Sequence, residues 1–307
     1  MTPILTTIIP IFAVIFIGWA ARQKGFISDD FFEPANRLVF YIGIPAMIFQ
    51  SVSKASFKTQ FGIPILLVAL AAMVGVFFLA WAAAFVFQVA YDKRGTFVQS
   101  AFHGNLGYIG LAVAYYYLGK EGLIKAGLIA GFMMILQNFL AVVVLQLHSS
   151  DAPQKLDIFS LIMKIIGNPI ILSALAGIFF VVAGIQVPLV LDRCLTILSG
   201  MALPMALLII GGSITFNIEK SAMMTILGSS ILKLLVLPGL GFGLCWLFGV
   251  MPPDYIPGII LLASPTATVT YVMAKEMHGV PELAAYGISI STLLSAITFS
   301  VWLSLLG

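Results

Sequence analysis

The chain has 307 residues, of which 61% are apolar and only 9% charged, and its mean hydropathy is +1.11. Soluble domains are near half apolar and a quarter charged, so a soluble globular protein is excluded. Fifteen Lys and Arg against twelve Asp and Glu give a net charge of +3, far short of the basic face that a nucleic-acid binder needs. The two cysteines, Cys194 and Cys245, have no metal or redox spacing and are read as inert, with no disulfide framework.

A helix needs roughly 20 apolar residues to cross a hydrocarbon core. Ten segments approach that length, near 3–21, 38–55, 65–90, 97–118, 126–146, 165–185, 195–215, 222–249, 256–274 and 283–306. They are apolar on every face, which rules out the alternation of barrel strands. The first is expected to stay as a membrane helix, because its basic residues, Arg22 and Lys24, follow it. Nine Lys and Arg (Arg22, Lys24, Arg37, Lys93, Arg94, Lys155, Lys164, Lys220, Lys275) fall on the side reached after the odd-numbered segments. Five (Lys54, Lys58, Lys120, Lys125, Arg193) fall on the other. The positive side faces the cytoplasm, so both termini are expected outside it.

The polar connector 147–157 separates residues 1–146 from 158–307, and the two parts are alike. A shift of 159 lays Pro10 on Pro169, Gly18 on Gly177, Gly25 on Gly184 and Pro45 on Pro204, and a shift of 160 lays Gly119 on Gly279 and Gly127 on Gly287. Glycine and proline fix backbone geometry, so their recurrence predicts two copies of one fold. Each copy has five segments, an odd number, so the second enters the membrane inverted.

The fourth and ninth segments carry the breaks. The fourth reads His103-Gly104-Asn105-Leu106-Gly107-Tyr108-Ile109-Gly110, with three glycines in seven residues, a costly run for a continuous helix. The ninth reads Ser264-Pro265-Thr266-Ala267-Thr268-Val269-Thr270, where Pro265 removes a backbone donor among four hydroxyls. Freed backbone groups at membrane depth are tolerated only in a protein-lined or watery cavity. Broken helices at repeat-related positions predict a substrate site whose half-helix N-termini suit an anion. Lys233 lies about 18 Å into its helix by the 1.5 Å rise, with no acidic residue inside any predicted span. It is either an anion ligand or a structural lysine, bonded to carbonyls or sitting neutral. Gln137 and Asn138, with Thr298 at the repeat-related place, either reach the break or join helices. His103 is either a proton relay or a packing histidine.

At these residues the chain resembles the auxin efflux carrier family, within a superfamily that also holds bile acid symporters. Asn168-Pro169-Ile170, Leu232-Lys233-Leu234-Leu235-Val236-Leu237-Pro238, the Asn105–Gly110 break, Ser264-Pro265-Thr266-Ala267-Thr268 and Ala274-Lys275-Glu276 carry the resemblance. It implies an all-α membrane protein with ten transmembrane helices in two inverted five-helix repeats and broken, crossing fourth and ninth helices. It implies a homodimer, which the small-residue motifs cannot decide. It matches Asn105 to an amide beside the substrate in the plant exporters, and Gln137 to a polar position of their fifth helix. The plant pattern has prolines where this chain has Ala112 and Thr270, and the long loop of plant members is replaced by the short connector. A bacterial-type inner-membrane carrier follows.

The expected function is secondary transport of a small organic anion, a mono- or dicarboxylate such as malate or malonate or an auxin-like acid. The expected site comprises Gly104, Asn105, Gly107, Gly110, Ser264, Pro265, Thr266, Thr268, Gln137, Asn138 and Lys233, with His103 as proton relay, no metal site and no cofactor. Sodium or proton coupling stays open. A passive anion channel or a non-transporting sensor fits the same helices. An enzyme does not, since no nucleophile or metal motif is found.

Overall fold

The computed structural model describes residues 2–54, 62–148, 167, 169–216 and 222–307. Most of the connector 147–157, and Asn168, Lys58, Lys155, Lys164 and Lys220, lie outside the described residues. The protein is all helical, with one isolated two-residue bridge and no strand among those residues. In chain order, α1 spans Thr2–Gln23, and α2, Asp29–Leu38, runs through a π turn at Val39–Gly43 into α3, Ile44–Ser53. Then come α4 (Ile63–Val86), α5 (Tyr91–Phe102), a π turn at Leu106–Gly110 and α6 (Leu111–Leu147). α6 is interrupted at Gly119, whose φ of 72° is left-handed and open to glycine without steric penalty. α7 (Pro169–Val182), α8 (Leu189–Ser213) and α9 (Met223–Ile231) follow, and a π turn at Leu232–Val236 leads into α10 (Leu237–Leu247). The chain closes with α11 (Pro252–Leu262), α12 (Val269–Glu276) and α13 (Pro281–Leu306).

Among the described residues six stretches are long and apolar enough to cross a membrane: Ile4–Gln23, Ile63–Val86, Leu106–Leu147, Leu189–Ser213, Met223–Leu247 and Pro281–Leu306. With large hydrophobic side chains exposed along them, such as Phe16, Leu67, Phe78 and Ile297, they make a multi-pass membrane protein. Several helices begin before their apolar runs. α2 starts nine residues ahead of the predicted 38, because Asp29-Asp30-Phe31-Phe32-Glu33 forms an amphipathic turn that apolar counting passes over.

The chain divides into two compact units that interleave the sequence halves. The first comprises Met1–Gly62, Gly107–Phe132 and Ile162–Ser213. Its helices α1 and α8 meet backbone to backbone. A Cβ on Gly18 would overlap the carbonyl of Leu208, and one on Gly211 the carbonyl of Ile15, the close approach that small residues allow between membrane helices. Arg22 Nη1 donates to Gly212 O at 2.6 Å, placing a cation on the C-terminal carbonyls of α8. Near the other end of α8, Gln50 Nε2 donates to Asp192 Oδ1 at 3.2 Å and Lys54 Nζ pairs with the same carboxylate at 2.6 Å.

The second unit comprises Ile63–Leu106, Met133–Leu161 and Ile214–Gly307. Its core joins α4, α5, α9, α10 and α13, with Phe77 edge-on to Phe102 at 5.6 Å. Trp302 Nε1 donates to Leu234 O at 2.9 Å, a carbonyl whose α-helical donor four residues on would be Pro238, which has no N–H. Gly211→Leu is expected to overpack the α1–α8 contact at a cost of about 1–3 kcal/mol. Thermal unfolding of the detergent-purified protein should show a lowered midpoint, whereas Gly200→Ala, with open space at the Cβ, should leave it in place.

Candidate functional site

Residues 103–105 of the first break and 264–268 of the second lie in the second unit and meet. α5 ends at Phe102 and α11 at Leu262. The extended residues that follow pair antiparallel, with Gly104 opposite Thr266. Asn105 N donates to Pro265 O at 2.7 Å and Ala267 N donates to His103 O at 3.0 Å. Each break therefore supplies one amide and one carbonyl to the other, and Pro265 contributes only the carbonyl that proline retains. Gly104 allows this approach. A Cβ there would stand 2.7 Å from Ser264 Oγ and 3.2 Å from Lys233 Cε.

Side chains close the backbone groups left over. The Gln137 amide brackets Gly104, accepting from its N at 3.1 Å and donating to its O at 3.3 Å. Ser291 Oγ accepts from Thr266 N at 3.1 Å, and Thr266 Oγ1 donates to Ser100 O at 3.0 Å. Ser264 Oγ donates to Leu261 O at 2.7 Å and Thr270 Oγ1 to Ala267 O at 2.7 Å. Lys233, wholly buried at 0% exposure, donates from Nζ to Leu262 O at 2.7 Å. That carbonyl belongs to the last residue of α11, so the ammonium sits on the negative end of a half-helix. Among the described residues no Asp or Glu is buried, leaving Lys233 without an acidic partner in the interior.

The sequence-derived residues thus fall into groups. Gly104, Asn105, Ser264, Pro265, Thr266, Gln137 and Lys233 come together at the crossing, where Asn105 is 5% and Gln137 4% exposed. Of the arrangements open to Lys233 in the sequence, the carbonyl bond is present. Thr268 is the cap residue of α12 and its side chain makes no capping bond; the Thr270 and Tyr271 amides of the first turn donate to the Ala267 and Thr268 carbonyls, and the helix dipole still puts its positive end there. Asn138 is half-buried next to Gln137. Gly107 and Gly110 lie in the π turn Leu106–Gly110, inside the first unit as the chain is divided. His103 is fully buried, and neither ring nitrogen has a protein partner. Sequence reasoning missed Ser100, Ser291 and Trp302. The signal for Ser291 is its place in a Gly287-x-x-x-Ser291 motif, the small-residue spacing of close helix contact. No group of three or more His, Cys, Asp or Glu among the described residues can hold a metal ion.

A family model described as a membrane transport protein matches residues 3–303. The chain belongs to this family. The resemblance to auxin efflux carriers places it in the same group. Members similar over nearly the whole chain include a protein of Rhizobium meliloti named "Putative malonate transporter", 26% identical over 97% of this chain and 94% of its own. An uncharacterized transporter of Methanocaldococcus jannaschii is 22% identical over 97% of both chains, and one of Escherichia coli is 21% identical over 99% of this chain and 98% of its own. The family member described here is therefore a transmembrane transport protein.

Gln137→Leu is expected to strand the amide of Gly104, a buried polar group whose loss of its partner costs about 1–3 kcal/mol, while the Gly104 carbonyl keeps the Leu106 amide at 2.9 Å. The melting temperature should fall, and Gln137→Glu, which keeps the acceptor but not the donor, should fall between the wild type and the leucine variant.

Proposed function

We propose that the protein is a secondary carrier of a small organic anion, a mono- or dicarboxylate such as malonate, which binds at the crossing and moves by alternating access. The observation that carries this reading is a buried crossing of two interrupted helices that holds a lysine but no carboxylate. Its partial and full charges, the α12 amides and Lys233, are positive. An anion complements that field, whereas a cation would face it unshielded. The ligands proposed are Asn105, Thr266, Thr268 and the half-helix termini. Lys233 contributes its charge from its seat on Leu262 O, and Gln137 acts through Gly104. The name of the Rhizobium relative agrees with this substrate class.

The proposed architecture is ten spans in two inverted five-helix repeats, 1–146 and 158–307, with both termini outside the cytoplasm of a bacterial inner membrane. Support comes from the backbone. The residues with left-handed φ among those described are Gly25, Gln88, Gly119, Gly184, Gly249 and His278. They fall into pairs separated by 159, 161 and 159 positions: Gly25 with Gly184, Gln88 with Gly249, and Gly119 with His278. Gln88 and His278 are not glycines, and bulky residues take this conformation only where the chain trace demands it. The turns ending corresponding spans therefore recur even where the residue type does not. Gly119 divides α6, and the reciprocal pairing of 103–105 with 265–267 has the local two-fold relation expected where inverted copies cross. Two copies of the whole chain in a homodimer, and coupling to sodium or protons, remain compatible with this architecture.

In proteoliposomes the purified protein should take up labelled malonate saturably and show counterflow, which a channel cannot. Asn105→Ala should lower uptake by about tenfold, the equivalent of one lost hydrogen bond of roughly 1.4 kcal/mol. Saturable uptake unchanged in both Asn105→Ala and Lys233→Ala would remove the assigned site, and flux without saturation or counterflow would identify a channel. Alkaline phosphatase fused after Gly307 should be active outside the cytoplasm.

A further inference from the structure

Four polar residues, Thr96, Gln99, Ser100 and His103, recur at i, i+3, i+4 and i+7 along α5 and the residue that ends it, and so share one helical face. None is more than 2% exposed. A buried face of a membrane helix is ordinarily apolar, and this one packs on α12, α13 and the turn between them. Thr96 Oγ1 accepts from Val280 N at 2.9 Å, and Gln99 Nε2 makes only a 3.4 Å contact to Met273 Sδ. Ser100 Oγ lies 3.5 Å from where a Cβ on Gly287 would stand. Gln99 Oε1, Ser100 Oγ and both nitrogens of His103 have no protein partner, nor has Thr292 Oγ1, one residue beyond the Ser291 that holds Thr266.

Buried polar atoms are almost always hydrogen-bonded, to protein or to ordered water. These atoms are also chemically matched to water. An amide oxygen accepts, the hydroxyls do both, and a neutral imidazole brings one donor and one acceptor. A water molecule in such a site typically makes about three hydrogen bonds, the number that neighbouring members of this face can supply together. The face runs from the turn at Met277-His278-Gly279-Val280, where His278 is exposed, to the crossing at His103. We propose that it is a hydrated track through the second unit, a binding site for a short file of water molecules that gives the His103 imidazole exchange with the solvent at the 277–280 turn.

Solvent access lets His103 gain or lose a proton beside the crossing. The nearby charged group is Lys233, whose Cε lies 3.2 Å from where a Cβ on Gly104, the residue after His103, would stand. Lys275 and Glu276 on α12 and Glu282 on α13 are all exposed, so no carboxylate reaches the ring from the helices packed on this face. The use of that proton in transport rests on the carrier reading, but the track does not, and it is tested without any substrate.

The chain has three histidines, so exchange of their C2 hydrogens in D2O, read by mass spectrometry on the full-length protein in lipid nanodiscs, has His278 as an internal reference. His103 is expected to exchange within about tenfold of His278, and Ser100→Leu, which fills the track, to slow His103 by at least about tenfold while His278 is unchanged. No exchange at His103 over the time in which His278 exchanges fully would overturn the proposal. If Ser100→Leu does not fold, silver-ion reactivity decides in a background lacking Cys194 and Cys245. Ser100→Cys should react at least about tenfold faster than Cys placed at the equally buried apolar Val98, and equal rates would overturn the track. Neither measurement involves an anion, so failed malonate uptake leaves the track standing and a dry track leaves the carrier standing.

Discussion

Two backbone hydrogen bonds, Asn105 N to Pro265 O and Ala267 N to His103 O, set the conditions that the rest of the second unit has to meet. A helix interrupted inside an apolar interior frees amides and carbonyls that lipid cannot satisfy. Pairing the two interruptions with each other removes one donor and one acceptor from each. The remainder must come from side chains, which is why a chain with only 9% charged residues concentrates hydroxyls, an amide and a lysine in one place. Gln137 closes Gly104 from the part of α6 beyond Gly119, and Ser291 closes Thr266 from α13, the helix after α12. The same logic explains Trp302 on Leu234 O and Lys233 on Leu262 O, each a donor delivered to a carbonyl at a helix irregularity.

The first unit solves a different problem. Its helices α1 and α8 pack through Gly18 and Gly211, and its charged contacts, Arg22 on Gly212 O and Lys54 with Asp192, sit near the helix ends. Close backbone packing gains dispersion and needs no buried polarity. The contrast is between a unit held by steric fit and one held by polar bonds across a crossing. Packed steric contacts have few alternatives at similar energy, while hydrogen bonds to backbone can be exchanged for bonds to water or to a ligand, and a site for a solute belongs with the second kind.

The apolar runs and the two breaks were legible in the sequence because each has a direct physical signature. About 20 apolar residues measure a bilayer, and Gly104, Gly107, Gly110 and Pro265 weaken a helix wherever they stand. The partners of the freed groups were not legible, since a serine at 291 or a glutamine at 137 carries no mark of which backbone atom it meets in three dimensions. The proposed repeat is marked in the sequence only by glycine and proline. Gln88 and Gly249 both take a left-handed φ with different residue types, a correspondence that matching of residue types passes over. The face of Thr96, Gln99, Ser100 and His103 is a plain i, i+3, i+4, i+7 pattern, the polar counterpart of the apolar periodicity that marks a buried helix face.

Lys233 shows how the fold bears on the chemistry. A lysine buried without a carboxylate retains its charge only if the surroundings compensate it, and the carbonyl of Leu262 at 2.7 Å supplies a dipole and not a countercharge. Bringing a negative solute to the crossing supplies the countercharge, and expelling it restores the deficit. The energy of Lys233 is therefore lower with an anion nearby than without, even though its ammonium need not leave Leu262 to gain it, because Coulomb attraction in a medium of low polarity acts over several ångströms. In the carrier proposed above, a charge seated on the end of α11 by the Leu262 carbonyl stays beside the crossing whichever way the solute enters, which a lysine free to follow the solute would not provide.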